Sequence, residues 1–269
     1  EKADGKVEVT FTFDSRDLED KTDIVVFESL VRSGTEIASH ADIDDENQTV
    51  TVTAPAISTS ARDAIDGDKD VVVDDVTTVI DTVEYRNLVP GKEYTLNGKL
   101  HSKSNGKPLM VGDKPVTGQT VFTPEKADGK VDVVFHFNSL TIPHDTEIVA
   151  FESLEKNGVE LVAHADIEDG KQTTTVTRPQ IGTTALDGHD GDKNVVTDGK
   201  TTLIDTVEYK NVIPGKTYTL KGSLHVKVTD EEGNVTEKAL EVDGKPVTAE
   251  TTFTPEKSDG KVEVTFTFD

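Results

Sequence analysis

Two acidic clusters and a few polar residues set in apolar surroundings are the parts of this sequence with chemistry in them. Asp63, Asp66, Asp68 and Asp70 crowd into one short stretch, and Asp187, Asp190, Asp192 and Asp198 into another. Closely spaced carboxylates supply the hard oxygen ligands that calcium prefers. Neither stretch is a twelve-residue loop closed by a Glu, so each reads as an acidic turn leading into a strand, with no metal expected. Asp81 is different, because it sits among Val79, Ile80 and Val83. A carboxyl in such a run is a candidate for burial, which perturbs its acidity. Glu152 follows Phe151, and strand alternation sends the two to opposite faces, leaving Glu152 either solvated or buried at a site. Taken singly, Thr59 reads as a residue of high β propensity and His164 as a loop histidine capping a turn. Tyr85, Tyr94, Tyr209 and Tyr218 read as core or corner residues.

The elements that must position these groups are strands. Val7-Glu8-Val9-Thr10-Phe11-Thr12-Phe13 alternates strictly, which predicts a strand with one face buried, and residues 131–137 and 262–268 repeat the pattern. Residues 49–53 and 173–177 are rich in Thr and Val. Pro90-Gly91, Pro214-Gly215, Asp128-Gly129 and Asp259-Gly260 punctuate the chain as turns. Apolar periodicity of helix length is absent, so the fold class is all-β.

Composition narrows the function. The 269 residues carry 28 Lys+Arg against 52 Asp+Glu, a net charge of -24. Such a chain repels phosphate backbones and anionic lipid heads, so no nucleic acid and no membrane surface is expected as a partner. The absence of Cys removes disulfides, thiolate metal sites and Cys nucleophiles. No apolar run approaches the ~20 residues that span a bilayer, and no signal peptide opens the chain. The first residue is Glu, which reads as a segment of something longer. No cofactor is implied. Low hydrophobicity with high charge would ordinarily signal disorder, but the strand patterning argues against it.

Internal repetition is the strongest signal. Ile80-Asp81-Thr82-Val83-Glu84-Tyr85 returns as residues 204–209, at an offset of 124 given by 204 minus 80. At the same offset Phe27-Glu28-Ser29-Leu30 returns at 151–154, His40-Ala41-Asp42-Ile43 at 164–167 and Gln48-Thr49 at 172–173. Ile57-Ser58-Thr59-Ser60-Ala61 corresponds to Ile181-Gly182-Thr183-Thr184-Ala185. The last copy is longer between Leu224 and Pro246, around an Asp-Glu-Glu-Gly stretch that reads as an extended hairpin loop. A repeat of this length with many short strands suggests a β-sandwich. Pro55 and Pro179 each follow a Thr/Val strand and mark the joints. The expected organisation is therefore the C-terminal part of one module (1–54), a complete module (55–178) and the N-terminal part of a further module (179–269). Residues 1–14 and 256–269 are nearly the same strand, so the two partial modules overlap slightly.

At this point a resemblance becomes specific. Val25-Val26-Phe27-Glu28 and Val149-Ala150-Phe151-Glu152, the Ile-x-Thr-x-Ala opening, the Ile-Asp-Thr-Val-x-Tyr strand and the His-x-Asp-Ile…Gln-Thr closing segment occur in order. Together they resemble the VaFE repeat of Gram-positive surface adhesins, whose stalk domains form an intramolecular Thr–Gln ester bond. The resemblance implies Ig-like or CnaB-like β-sandwich modules in tandem, cross-linked between first and last strands. It implies Thr59 as nucleophile, Gln172 as acyl donor, and Asp81, Glu152 and His164 as assisting groups. A second set would be split across the ends, with Thr183 and Asp205 in one part and Glu28, His40 and Gln48 in the other. It further implies a structural role on the cell surface, extracellular and cell-wall-anchored with anchor and signal peptide outside this segment. The expected partners are adjacent modules of the same adhesin.

The implied chemistry is sound. A carboxamide is a poor acyl donor and a hydroxyl a poor nucleophile, so a base, oxyanion donors and a proton for the departing ammonia are all required. His can act as the base near neutral pH. Two carboxyls held close share a proton, so Asp81 and Glu152 would supply an acid. The single turnover is consumed in self-modification, so no enzyme is expected. Two other functions compete with this one. A CnaB-type stalk with a Lys–Asn isopeptide would also lose one ammonia, but alkali or hydroxylamine cleaves only the ester. A ligand-binding adhesin module without a cross-link fits poorly with few aromatics and no Trp. A middle module with ~10-residue strands is roughly 35 Å long, which keeps the two ends of one chain apart. Any joining of the end fragments is then expected head to tail between molecules.

Overall fold

The computed structural model describes residues 4–196, 199–229 and 231–269, which leaves Asp198 of the second acidic stretch outside the described residues. Strands account for nearly all the regular structure; a 3-10 turn at Glu46–Gln48 is the single helical element among the described residues.

The first part holds β1 (Asp23–Val25), β2 (Glu28–Arg32), β3 (Thr35–His40) and β4 (Thr49–Thr51), paired as β1–β4 and β2–β3. The middle part runs β5 (Ala56–Asp63), β6 (Asp70–Val72), β7 (Thr77–Arg86), β8 (Tyr94–Ser102), β9 (Met110–Val111), β10 (Lys114–Pro115), β11 (Thr117–Phe122), β12 (Gly129–Phe137), β13 (Thr146–Lys156), β14 (Val159–His164) and β15 (Thr173–Thr177). The last part runs β16 (Gln180–Asp187), β17 (Thr201–Lys210), β18 (Tyr218–Ser223), β19 (His225–Thr229), β20 (Val235–Ala239), β21 (Glu241–Val242), β22 (Lys245–Pro246), β23 (Thr248–Phe253) and β24 (Gly260–Phe268).

The middle part is a sandwich of two sheets. One has the order β11-β8-β13-β15-β6 with β14 beside β13, and the other has the order β12-β7-β5. All pairings are antiparallel except β6 with β15. The period-two alternation explains the layers: Val79, Val83, Val133 and Phe135 of one sheet meet Leu96, Leu100, Ile148 and Leu154 of the other in a single core. The sheets come close where side chains are absent. A Cβ at Gly98 would lie 2.5 Å from Phe135 Cζ and 2.9 Å from Val133 Cγ1.

The last part repeats the smaller sheet as β16-β17-β24, over a lesser core of Val207, Val247, Val264 and Phe266. Its extra residues form the β19–β20 hairpin. Backbone and side-chain bonds join the parts. Asn87 Nδ2 donates to Ala54 O at 2.8 Å, Asn211 Nδ2 to Thr177 Oγ1 at 3.0 Å, and Lys216 pairs with Asp74 at 2.8 Å.

One expectation is overturned. Residues 7–13 form no strand, and Val7 is 89% and Phe11 59% exposed. The equivalent strands β12 and β24 each pair with an Ile-Asp-Thr-Val strand, β7 or β17. The first part contains no copy of that strand, so the alternating segment has neither ladder partner nor facing sheet.

Candidate functional site

The site lies between the two sheets of the middle part. On β5 and β7 the register pairs Thr59 with Val83 and Ala61 with Asp81. Thr59 and Asp81 are therefore diagonal neighbours on one face of the sheet, the face turned to the core. From the other sheet, β13 brings Glu152 while Phe151, by alternation, stacks on His101 at 4.3 Å on the opposite face. Gln172 sits in the turn just before β15. Ala150 N donates to Gln172 O at 3.1 Å and Ala61 N to Lys171 O at 2.9 Å. Residues 171–172 are thus threaded between β5 and β13, which lays the Gln172 side chain into the interior.

Burial is nearly complete: Asp81 and Gln172 are 0% exposed, Glu152 2% and Thr59 5%. Gln172 Nε2 donates to Glu152 Oε2 at 3.5 Å, and the Asp81 carboxyl faces both Glu152 and the Thr59 hydroxyl. None of these contacts is a close, well-aligned bond. Thr59 Oγ1, both oxygens of Asp81, Glu152 Oε1 and Gln172 Oε1 are buried without a hydrogen-bond partner. Native interiors pair almost all such atoms. Five of the seven unpartnered buried side-chain atoms among the described residues fall in this one cluster.

The carboxyls carry the electrostatic consequence. Burial pushes the pKa of Glu152 up to about 11, with the adjacent Asp81 adding to the rise. Burial also raises that of Asp81, opposed by Glu152, the Thr59 hydroxyl, Lys69 and His164. The pair holds a proton at neutral pH, and Glu152 is the favoured carrier.

His164 lies opposite Glu152 in the β13–β14 register. Its Nδ1 approaches Ile57 O at 3.4 Å and its Nε2 meets Asp169 at 3.1 Å. The group beside the Thr59 hydroxyl is the Asp81 carboxyl. Lys69 is a neighbour that the sequence reading missed. Its ammonium donates to Ala61 O and, at 2.5 Å, to Lys171 O. The signal was present, since Gly67-Asp68-Lys69 returns as Gly191-Asp192-Lys193 at the same offset of 124.

The split set has the same local geometry in two separate sheets. Thr183 pairs with Val207 and Ala185 with Asp205 on β16 and β17, and Asp205 Oδ1 is again buried and unpartnered. Thr183 is exposed. Glu28 and His40 pair across β2 and β3 as Glu152 and His164 do, but both are exposed. The Gln48 carboxamide turns onto its own backbone, with Nε2 donating to Val26 O at 2.6 Å and to His40 O at 3.2 Å.

In the second acidic stretch the ligand atoms of Asp187, Asp190 and Asp192 lie within 4.8 Å of one another. Each carboxylate accepts from the backbone N–H two residues on, as acidic turns do. In the first stretch Asp63 lies at the end of β5. It is 3% exposed, and burial raises its pKa to about 6.

Three comparisons bear on this geometry. A search of curated proteins finds no match. Two solved structures are similar, both of a bacterial adhesin from Mobiluncus mulieris containing intramolecular disulfide, isopeptide and ester bond cross-links. One is 16% identical and covers 69% of this chain and 92% of its own, with a TM-score of 0.41. The other is 15% identical and covers 80% of this chain and all of its own, with a TM-score of 0.40. The family described as T-Q ester bond containing domain matches residues 1–52, 55–176 and 179–269. These intervals take in almost the whole chain, which belongs to the T-Q ester bond containing domain family.

Proposed function

We propose that the middle part, residues 55–178, is a complete module that closes itself by an ester between Thr59 and Gln172. The observation that carries this reading is the sealed cluster of unpartnered polar atoms on Thr59, Asp81, Glu152 and Gln172. In the step, Thr59 Oγ1 forms a bond to the Gln172 side-chain carbonyl carbon. The hydroxyl proton passes to Asp81, and the bond from that carbon to Nε2 breaks. Protonated Glu152, which already faces Nε2, supplies the proton that lets ammonia leave. The proton on Asp81 then restores Glu152, so the pair ends as it began. His164 acts through its charge on Asp81 and through its hold on Ile57 O, two residues before Thr59. Positioning supplies much of the rate, and the dry interior protects the product from hydrolysis. The reaction consumes its own groups once, so the module is self-modifying and has no separate substrate.

The bond ties β5, the module's first strand, to the turn leading into β15, its last. The chain is thereby a mechanical stalk segment of an extracellular, cell-wall-anchored bacterial adhesin, with modules in tandem as partners. The flanking parts carry complementary halves of a second site, so joining of Thr183 to Gln48 between molecules, head to tail, is the corresponding intermolecular reaction. Intact-mass measurement on folded full-length chain tests the main reading. Loss of one ammonia, absent in Thr59→Ala, is the expected result, and hydroxylamine should open the bond to a free Thr59 hydroxyl and a hydroxamate at position 172, adding the mass of one hydroxylamine. Full mass in folded wild type refutes it, and loss of ammonia that resists hydroxylamine assigns the bond to an isopeptide. Monomeric material alone on a denaturing gel refutes the joining between molecules.

A further inference from the structure

The groups that react in the ester reading arrive from two different sheets, and something must hold those sheets in register at that point. We propose that Lys69 is a positioning residue for ester formation, an ammonium clamp between the strand that carries Thr59 and the backbone that carries Gln172. The proposal rests on the Thr59–Gln172 reading above and adds a residue to it.

The contacts are specific. Lys69 Nζ donates to Ala61 O, two residues beyond Thr59, and to Lys171 O, immediately before Gln172, at 2.5 Å. Those two carbonyls belong to segments more than a hundred residues apart in sequence. Ala61 N donates to the same Lys171 O at 2.9 Å, so the ammonium closes a small ring around the point where the sheets meet. The Lys69 backbone is itself tied down, because Thr175 N donates to Lys69 O at 2.8 Å and β6 continues from there alongside β15. The residue lies at the surface, but its charged end is turned inward onto carbonyls, which accept more strongly from a cation than from a neutral donor.

The last part shows the same arm without its second target. Lys193 Nζ donates to Ala185 O at 2.7 Å on β16, and no Gln-bearing segment is docked there among the described residues. The lysine is therefore preset on the Thr-bearing strand and receives the closing segment as it arrives. Its charge has a further effect. Asp81 is surrounded by the Glu152 carboxyl from β13, the Thr59 hydroxyl from β5, His164 from β14 and Lys69 from the turn before β6. Lys69 and His164 are the positive influences in that set and favour Asp81 as the ionised partner, the form able to take the Thr59 proton. Asp169 is the other carboxylate acting on Lys69.

The test uses the full chain, recovered unfolded, refolded by dilution and quenched in acid at intervals. Intact mass reads the fraction that has lost ammonia, at pH values from 5 to 9. Lys69→Met is expected to slow the reaction about tenfold or more and to move the rising limb of the pH profile to higher pH, because Asp81 loses a positive neighbour. Lys69→Arg is expected to keep both rate and profile near wild type. Lys193→Met, which removes the equivalent contact in the last part alone, should change neither. Folding is followed independently by far-ultraviolet circular dichroism, and Lys69→Gln is scored wherever Lys69→Met does not fold. A Lys69→Met or Lys69→Gln chain that reacts at the wild-type rate overturns the proposal. So does one that is slowed with an unmoved pH profile and no rescue by Arg. If wild type itself never loses ammonia, the ester reading fails first, and the two failures are distinguishable.

Discussion

On the proposal that Thr59 is joined to Gln172, the Thr59→Val substitution isolates the energetic consequence of the cross-link. Val keeps the shape of Thr and replaces only the hydroxyl by a methyl, and Thr59 Oγ1 has no hydrogen-bond partner to lose. Its direct effect on folded packing is therefore small. What disappears is the closure of a loop of 172 minus 59, or 113, residues. The chain-entropy relation for a covalent cross-link assigns such a closure about 5 kcal/mol at 25 °C, acting through the unfolded state. A module of this size unfolds with an entropy that converts 5 kcal/mol into about 20 °C of melting temperature. Differential scanning calorimetry of the full chain should show one transition falling by that amount in Thr59→Val while the others stay in place. The mass of each sample must be recorded beside its scan, so that wild type is known to be linked and the variant unlinked. A linked wild type and an unlinked variant melting within about 5 °C of each other would refute the reasoning. Stability would then reside in the sandwich packing alone, and the bond would matter only under force.

Three further outcomes follow from the same geometry. In the unlinked Thr59→Val background, Glu152 stays protonated up to about pH 11 in the folded chain but ionises near pH 4.5 when unfolded. Folding therefore retains a proton, and stability should decline as pH rises between those limits by up to about 1.4 kcal/mol per unit. Urea titrations at pH 7 and 9 should show that decline, and Glu152→Gln should flatten it. From about pH 7 upward the Asp63 contribution, with its pKa near 6, is largely spent and does not confuse the comparison. Gly98→Ala places a methyl 2.5 Å from Phe135 Cζ, so overpacking should cost about 1–3 kcal/mol. Gly170→Ala, with open space around the added carbon, should cost far less in the same denaturant titration. Tyr94→Phe removes the phenol oxygen that accepts from Val89 N at 2.9 Å, and should cost about 1 kcal/mol with ester formation unaffected by mass.

The repeat was the most legible feature of the sequence, and the structure explains why. Each copy of the Ile-Asp-Thr-Val strand becomes the central strand of a three-stranded sheet, β7 or β17, so its alternation is preserved by two neighbours. The burial of Asp81 was readable from Val79, Ile80 and Val83 around it, because strand period fixes which residues share a face. Glu152 was ambiguous, because alternation says which residues share a face and not which face is covered. Lys69 was invisible in isolation, since its acceptors are two backbone carbonyls and carbonyls leave no trace in sequence. The burial of Asp63 was not signalled either, since it ends β5 and the acidic residues after it say nothing about which side of the strand is covered. Residues 7–13 were misread because alternation reports a capacity to pair, and pairing needs a partner strand of the right kind.

If Thr59 and Gln172 react as proposed, the separation of the reacting groups along the chain acts as a safeguard. Thr59 and Asp81 need only the β5–β7 ladder to be placed, whereas Glu152 and Gln172 arrive with the second sheet, 93 (152 minus 59) and 113 (172 minus 59) residues after Thr59. The last part displays the first stage by itself: Thr183 is exposed, Asp205 waits with an unpartnered buried oxygen, and Lys193 already holds the strand. In the proposed scheme Thr183 stays unreacted until a Gln-bearing part docks on it, because neither an acyl donor nor a second buried carboxyl lies beside it among the described residues. In that proposal, docking of the second sheet is what dries the site, raises the pKa of Glu152 above neutral and brings the carboxamide to the hydroxyl. An ester formed under those conditions can lock only a sandwich that has already closed correctly. Non-local assembly slows folding, and here that same dependence on completed structure restricts a permanent bond to the native arrangement.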